Sequence, residues 1–278
     1  MNVHACSVGR VSLPTRHVRA VSRTLPGRYV DVLRDDSRLE PLPIWCWVID
    51  HPDGVIVVDV GETTAVFDPR AVDLGARLLV DRDGFDLTPA DELAVQLESI
   101  GIDPGDVTTV VLTHLHFDHA GAVDRFPNAD VLVSRREYWS HRLLPLGSSL
   151  HRWSDRIEPT LLRYDDDGIG PFDRSERVTD DGAVRIVPTP GHTPGHQSVI
   201  VRQDDALLFL AGDTTFTERQ LLEDEIVGIA LDARASRRTM GRIRRLATSE
   251  PTVYLPSHDP DAVERLENRT PTRIDGGI

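Results

Sequence analysis

The sequence predicts an α/β or α+β protein with two packed β-sheets and helices on the outside. Three observations carry that expectation. Apolar and β-branched runs of strand length occur in both halves of the 278-residue chain. Segments with helical periodicity fall between and after those runs. No linker-like stretch divides the chain, so a single domain is expected over residues 1–278.

The elements follow in order. The first 40 or so residues are expected to form an extended N-terminal arm, laid across a partner in a homodimer or over the chain's own site. Residues 45–61, "WCWVIDHPDGVIVVDVG", read as two strands around an Asp-Gly turn. The mostly polar residues 62–88 are expected to be a surface excursion. In "TPADELAVQLESIGI" (88–102), Thr88 and Asp91 are spaced as a capping box, and Leu93, Leu97 and Ile100 repeat at helical period. "VTTVVLT" (107–113) and "ADVLVS" (129–134) are buried-strand runs. "RREYWSHRLLPL" (135–146) predicts a helix stopped by Pro145. Residues 165–182 are turn-rich and are expected to include exposed loops. "AVRIVPT", "SVIVRQ", "ALLFLAG" and "TVYLPS" are further strands, "SRRTMGRIRRLA" and "DAVERLEN" are helices, and the tail after Arg269 is expected to fray.

Composition narrows the function classes. The formal net charge of -14 repels nucleic acid unless a local patch overrides it. The one basic run, "RRTMGRIRR" (237–245), is expected to be the solvated face of a helix that buries Met240, Ile243 and Leu246. All 31 basic residues are Arg. There is no apolar run long enough for a membrane span and no signal-peptide pattern, so a cytoplasmic protein without membrane association is expected. Cys6 and Cys46 are far apart and make neither a disulfide framework nor a metal knuckle.

The chemistry lies at the strand ends. "VTTVVLT" runs directly into His114, "VRIVPTPG" into His192, "LLFLAG" into Asp213 and "TVYLPS" into His258. Strand ends at one edge are where a fold collects functional residues from distant sequence. "THLHFDHAG" (113–121) adds two patterns. His114 and His116, two apart in an extended segment, point the same way, whereas adjacent Asp118 and His119 diverge. The stretch can therefore feed two neighbouring centres, with His192 and His258 completing them and the two oxygens of Asp213 joining them. Imidazole and carboxylate in this number suit zinc or another borderline divalent ion. Two such ions can hold a hydroxide and polarise an acyl or phosphoryl oxygen. His196 reads as a structural or supporting residue. His4, His17, His51, His141 and His151 lack a partner pattern and read as surface residues or local hydrogen bonders.

"HLHFDHAG", "TPGHTPGHQS", "AGDTT" and "LPSHD" together resemble the metallo-β-lactamase superfamily in order and spacing, over about residues 45–259. The resemblance implies an αβ/βα sandwich with a dinuclear metal site at one edge of the two sheets. Among its branches the sequence is most similar to the N-acyl homoserine lactone lactonases, which quench quorum signals. By that resemblance His114, His116 and His192 hold one divalent ion and Asp118, His119 and His258 the other, zinc first, with iron, manganese or cobalt as alternatives. Asp213 bridges the ions, Asp59 supports a ligand histidine, and Asp118 and Asp213 are the catalytic carboxylates. The implied reaction is attack of a metal-bridging hydroxide on a lactone or ester, with Asp118 carrying a proton to the leaving alkoxide. A thioester hydrolase of glyoxalase II type and an iron-dependent sulfur-handling oxygenase are the alternatives. One residue departs from the lactonase pattern. Phe216 stands where those enzymes carry a substrate-contacting Tyr, and Thr214 or Thr215 is a candidate substitute for the missing hydroxyl. Trp139, Leu143, Leu144, Phe172 and Phe216 are candidates for an acyl-chain pocket.

Overall fold

The computed structural model describes residues 1–68, 70, 72, 74–143 and 147–274. The chain divides into two compact units, Met1–Pro14 with Ser37–Leu162, and Thr15–Asp36 with Arg163–Ile278. The expectation of one domain rested on the absence of a linker. The units are interleaved in sequence, so the chain crosses between them without a linker-like stretch to mark the boundary.

The first unit is built on a seven-stranded mixed sheet in the order β4-β1-β2-β3-β5-β6-β7. Its strands are β1 (Asn2–Val11), β2 (Leu42–His51), β3 (Gly54–Val58), β4 (Phe85–Asp86), β5 (Val107–Val111), β6 (Asp130–Ser134) and β7 (Thr160–Leu162). β2 and β3 form the expected hairpin, pairing Trp47 with Val58 and His51 with Gly54. β3 and β5 are parallel, which requires a long crossover, and residues 59–106 supply it. That register sets Val58 beside Val111. The chain therefore leaves both strands at the same edge, placing Asp59 beside the loop that begins at Thr113.

The second unit carries a six-stranded mixed sheet, β13-β12-β11-β10-β9-β8. Its strands are β8 (Asp166–Ile169), β9 (Phe172–Arg177), β10 (Val184–Pro188), β11 (Gln197–Arg202), β12 (Leu207–Gly212) and β13 (Thr252–Pro256). β12 and β13 are parallel, with Gly212 beside Pro256, so Asp213 and His258 emerge at one edge. The antiparallel β10–β11 pair closes at Pro188 and Gln197, and β11 runs antiparallel to β12. The connecting loop, residues 189–196, is thereby brought to that same edge.

Several expectations need correction. Asn2–Val11 is not an arm. It pairs with β2 on one side and β4 on the other, and buries Cys6, Val8 and Val11. Residues 62–88 are not a bare excursion. They contain the Leu74–Asp83 helix and β4, and Val66, Val72, Val80 and Leu87 cluster with Phe117. Residues 165–182 contain the β8–β9 hairpin, with Phe172 only 1% exposed. Beyond Arg269, the Thr272 amide donates to the Thr252 carbonyl and its side chain is buried, so the tail is anchored that far. Residues 275–278 lie outside the described residues.

Other expectations hold locally. The basic run lies on the Ala233–Ser249 helix, which buries Met240, Ile243 and Leu246 and pairs Arg242 with Asp173 and Arg244 with Asp224. The 135–146 helix ends at Leu143, and Pro145 lies outside the described residues. Cys6 and Cys46 face each other across β1 and β2 as free buried thiols, and burial raises Cys6 to about 11. Among the described residues, no helix is long and apolar enough to cross a membrane.

Candidate metal centre

In the first unit the donor residues are organised around Asp59. This residue adopts a left-handed backbone conformation (φ 61°), an energetic cost that a non-glycine residue bears when its surroundings dictate it. Its buried carboxylate accepts from the Thr113 amide at 2.7 Å and the Thr113 hydroxyl at 2.8 Å. It also accepts from His119 Nδ1 at 2.7 Å. That last bond fixes the proton on Nδ1 and leaves the Nε2 lone pair for a cation, the usual carboxylate–histidine arrangement behind a metal. Asp118 Oδ2 lies 3.6 Å from this Nε2.

His114 is set in the same way. The Thr113 hydroxyl gives its proton to Asp59, so its 3.0 Å contact with His114 Nδ1 requires that nitrogen to donate. The lone pair of His114 Nε2 then faces His116 Nδ1, 3.0 Å away. His114 and His119 are fully buried. Local structure explains the grouping. His116 is extended and its ring lies 4.6 Å from that of His114, whereas the Phe117–Ala120 helix brings the His119 ring to 4.1 Å from His114 and the Asp118 carboxylate to 3.6 Å from His119, so the adjacent pair converges where divergence was expected. The helix ends at Gly121, where any Cβ would stand 2.4 Å from the Glu62 carboxylate.

In the second unit His192, Asp213 and His258 are all buried. Asp213 Oδ2 lies 3.4 Å from His192 Nε2, and Asp213 Oδ1 lies 3.3 Å from His258 Nε2. One carboxylate thus presents one oxygen to each imidazole. Donors bound about 2.0–2.2 Å from a tetrahedral zinc stand about 3.3–3.5 Å apart. The separations within this set fit zinc-sized ligation. Phe216 is buried against the set, its ring 4.8 Å from that of His258 and 6.2 Å from that of His192.

The Phe216 surroundings settle one expectation. Thr214 gives its hydroxyl proton to the Ala211 carbonyl. Thr215 gives its own to the Thr217 carbonyl, and pairs with the Tyr254 hydroxyl at 3.0 Å. Both threonines serve the turn after β12, so neither supplies a hydroxyl in place of the one absent at Phe216. Among the pocket candidates, Phe172 is core, stacked on Phe209. Trp139 and Leu143 are exposed, and Leu144 lies outside the described residues.

Sequence reasoning missed a layer of supporting residues. Glu137 is buried, accepts from the Leu115 amide, and pairs with His141. The His141 ring meets that of His116 edge-on at 5.9 Å. The i,i+4 spacing of Glu137 and His141 on one helix was the available signal. Glu62 is buried, accepts from the Thr63 amide, and pairs with Arg152. Burial raises its carboxyl to about 7 despite that partner. His17, grouped with the bystanders, is buried with its ring 6.2 Å from that of Phe216.

Two mixed sheets carry, at their strand ends, His/Asp sets whose spacing could hold a metal ion. The chain belongs to the Metallo-beta-lactamase superfamily, whose profile matches residues 39–258. It is 32% identical over 233 residues to the N-acyl homoserine lactonase AttM of Azorhizobium caulinodans, covering 80% of this chain and 83% of that one. It is 27% identical over 224 residues to the N-acyl homoserine lactonase AiiA of Bacillus thuringiensis subsp. kurstaki, covering 80% and 84%. Among solved structures it is similar to an N-acyl homoserine lactone hydrolase with N-hexanoyl-L-homoserine bound at its catalytic metal center. That match has a TM-score of 0.74 at 22% identity and covers 94% of both chains. The likeness establishes the expected metallo-β-lactamase α/β sandwich fold.

Proposed function

We propose that the protein is a dinuclear-metal hydrolase that opens the ring of N-acyl homoserine lactones. The observation that carries this reading is the Asp213 carboxylate, with one oxygen toward His192 and the other toward His258. A carboxylate so placed suits two ions rather than one. His114, His116 and His192 would hold one ion, and Asp118, His119 and His258 the other, with zinc the first choice. The relatives named above as lactonases support the substrate class.

When bound, the ions supply a Lewis acid for the carbonyl oxygen and lower the pKa of water toward neutrality. The protein's own groups do the rest. Asp59 keeps the proton of His119 on Nδ1, so its other nitrogen stays a donor of electrons. Asp118 keeps 16% of its side chain exposed while the His119 ring beside it has none. Its carboxylate is thus the one positioned to take the proton of the attacking water and return it to the leaving alkoxide oxygen. Phe216 walls the site with an apolar face. A lactone carbonyl would therefore draw little hydrogen bonding from this side.

The test is a substrate panel of acyl homoserine lactones, thioesters and phosphodiesters, with zinc, cobalt, manganese or iron supplied. Lactone opening should dominate, and should vanish on chelation and in Asp213→Ala. Thioester cleavage without lactone opening would transfer the site to thioesterase chemistry. A single bound iron with oxygen consumption would end the hydrolase reading.

A further inference from the structure

His196 lies in the loop between β10 and β11, fully buried. The Asp213 amide donates to its Nε2 at 3.0 Å. Nε2 therefore carries a lone pair and the ring proton sits on Nδ1, which lies 2.9 Å from the Thr189 hydroxyl. Thr189 in turn lies 2.8 Å from the Ser198 hydroxyl, which gives its proton to the Ala211 carbonyl at 3.1 Å. Every proton in this chain has one consistent direction. His196 Nδ1 donates to Thr189, Thr189 to Ser198, and Ser198 to Ala211. The chain begins at the Asp213 amide and ends two residues earlier on the same strand end, so it forms a closed, buried ring. The backbone repeats the link, because the Thr189 amide donates to the His196 carbonyl at 2.9 Å and closes the loop that carries His192. The His192 and His196 rings meet edge-on at 6.0 Å.

We infer that His196 is a positioning residue that sets Asp213 and His192 relative to each other for metal binding. It grips the Asp213 backbone through Nε2 and the base of the His192 loop through Nδ1 and its carbonyl. Only the neutral Nδ1–H tautomer serves both contacts, and the Asp213 amide on Nε2 and Thr189 at Nδ1 together hold it. An imidazole is suited to this task because it offers an acceptor and a donor on opposite sides of one rigid ring.

This inference rests on the proposed dinuclear site, and zinc binding tests it without any substrate. His196→Asn keeps a group near Nδ1 but loses the acceptor for the Asp213 amide. His196→Gln can return an acceptor near the Nε2 position. Thr189→Val removes the partner of Nδ1 while leaving the histidine and its contact with the Asp213 amide in place. Zinc occupancy is titrated against a competing chelator, with unfolding midpoints of the metal-free proteins recorded alongside to identify a variant that fails to fold. His196→Asn should need about 10–100-fold more free zinc to fill the site, the usual cost of losing a group that orients a ligand. Thr189→Val should shift in the same direction by less, and His196→Gln should recover most of the loss. Unchanged zinc affinity in both His196→Asn and Thr189→Val would overturn the positioning role alone. Equal impairment of His196→Gln and His196→Asn, with Thr189→Val unaffected, would reduce His196 to packing. Wild-type protein that binds fewer than two zinc ions would overturn the dinuclear reading and this inference with it.

Discussion

Three groups converge on the Asp59 carboxylate, the Thr113 amide and hydroxyl and His119 Nδ1. Asp59→Asn retains the shape but offers His119 an amide in place of one carboxylate oxygen, loosening the tautomer and ring orientation. Zinc affinity or lactonase activity should fall about 10–100-fold, read by chelator competition and by initial rates. An unchanged affinity would mean that His119 is held by packing alone. Phe216 gives a prediction of opposite sign. Its neighbours Thr214 and Thr215 spend their hydroxyls on the turn. Phe216→Tyr should therefore raise kcat on a lactone, toward the roughly 10²-fold that a well-placed oxyanion donor contributes. No increase would show that the transition state already has its donor elsewhere. The strand ends that lead to His114, His192, Asp213 and His258 were legible in the sequence because an apolar run precedes each. Glu62 was not, because nothing in a lone acidic side chain shows that it will be buried, and Glu137 and His141 offered only their i,i+4 spacing on one helix.

At the scale of elements, the ligand loop of residues 113–121 is bounded by Glu62. Gly121 leaves just enough room for that carboxylate, and Arg152 reaches it from another part of the same unit. Burial raises Glu62 to about 7 from an ordinary 4.5. A carboxyl raised on folding binds its proton more tightly in the folded state, so its contribution to stability is complete below pH 4.5. It is lost as pH climbs through 7. The loss across that window is on the order of 3 kcal/mol. Urea unfolding of wild type and Glu62→Gln at pH 5 and pH 8 isolates it. The difference between the two proteins should move in favour of Gln at pH 8, by on the order of 2–3 kcal/mol. A pH-independent difference would place the carboxyl in its ordinary range. Strands with clean apolar runs, the β-branched β5 and the leucine-rich β12, were legible in the sequence. β1 was not, because Gly9 and a scatter of polar residues break the alternation of its buried Cys6, Val8 and Val11. The two-residue β4 is recognisable only through its pairing with β1.

For the whole molecule, the donors divide between the two compact units, with His114, His116, Asp118 and His119 in one and His192, Asp213 and His258 in the other. Sequence order conceals this division, because residues 15–36 belong with the second unit. Under the proposed function, both donor sets would serve two ions in one lactone-opening reaction. The most direct measurement follows proton release while N-hexanoyl homoserine lactone is added to protein carrying two equivalents of zinc. One proton should be released for each lactone opened, none after chelation, with full recovery when zinc is returned. Protein that retains two zinc ions and opens the lactone no faster than buffer would contradict the proposed function.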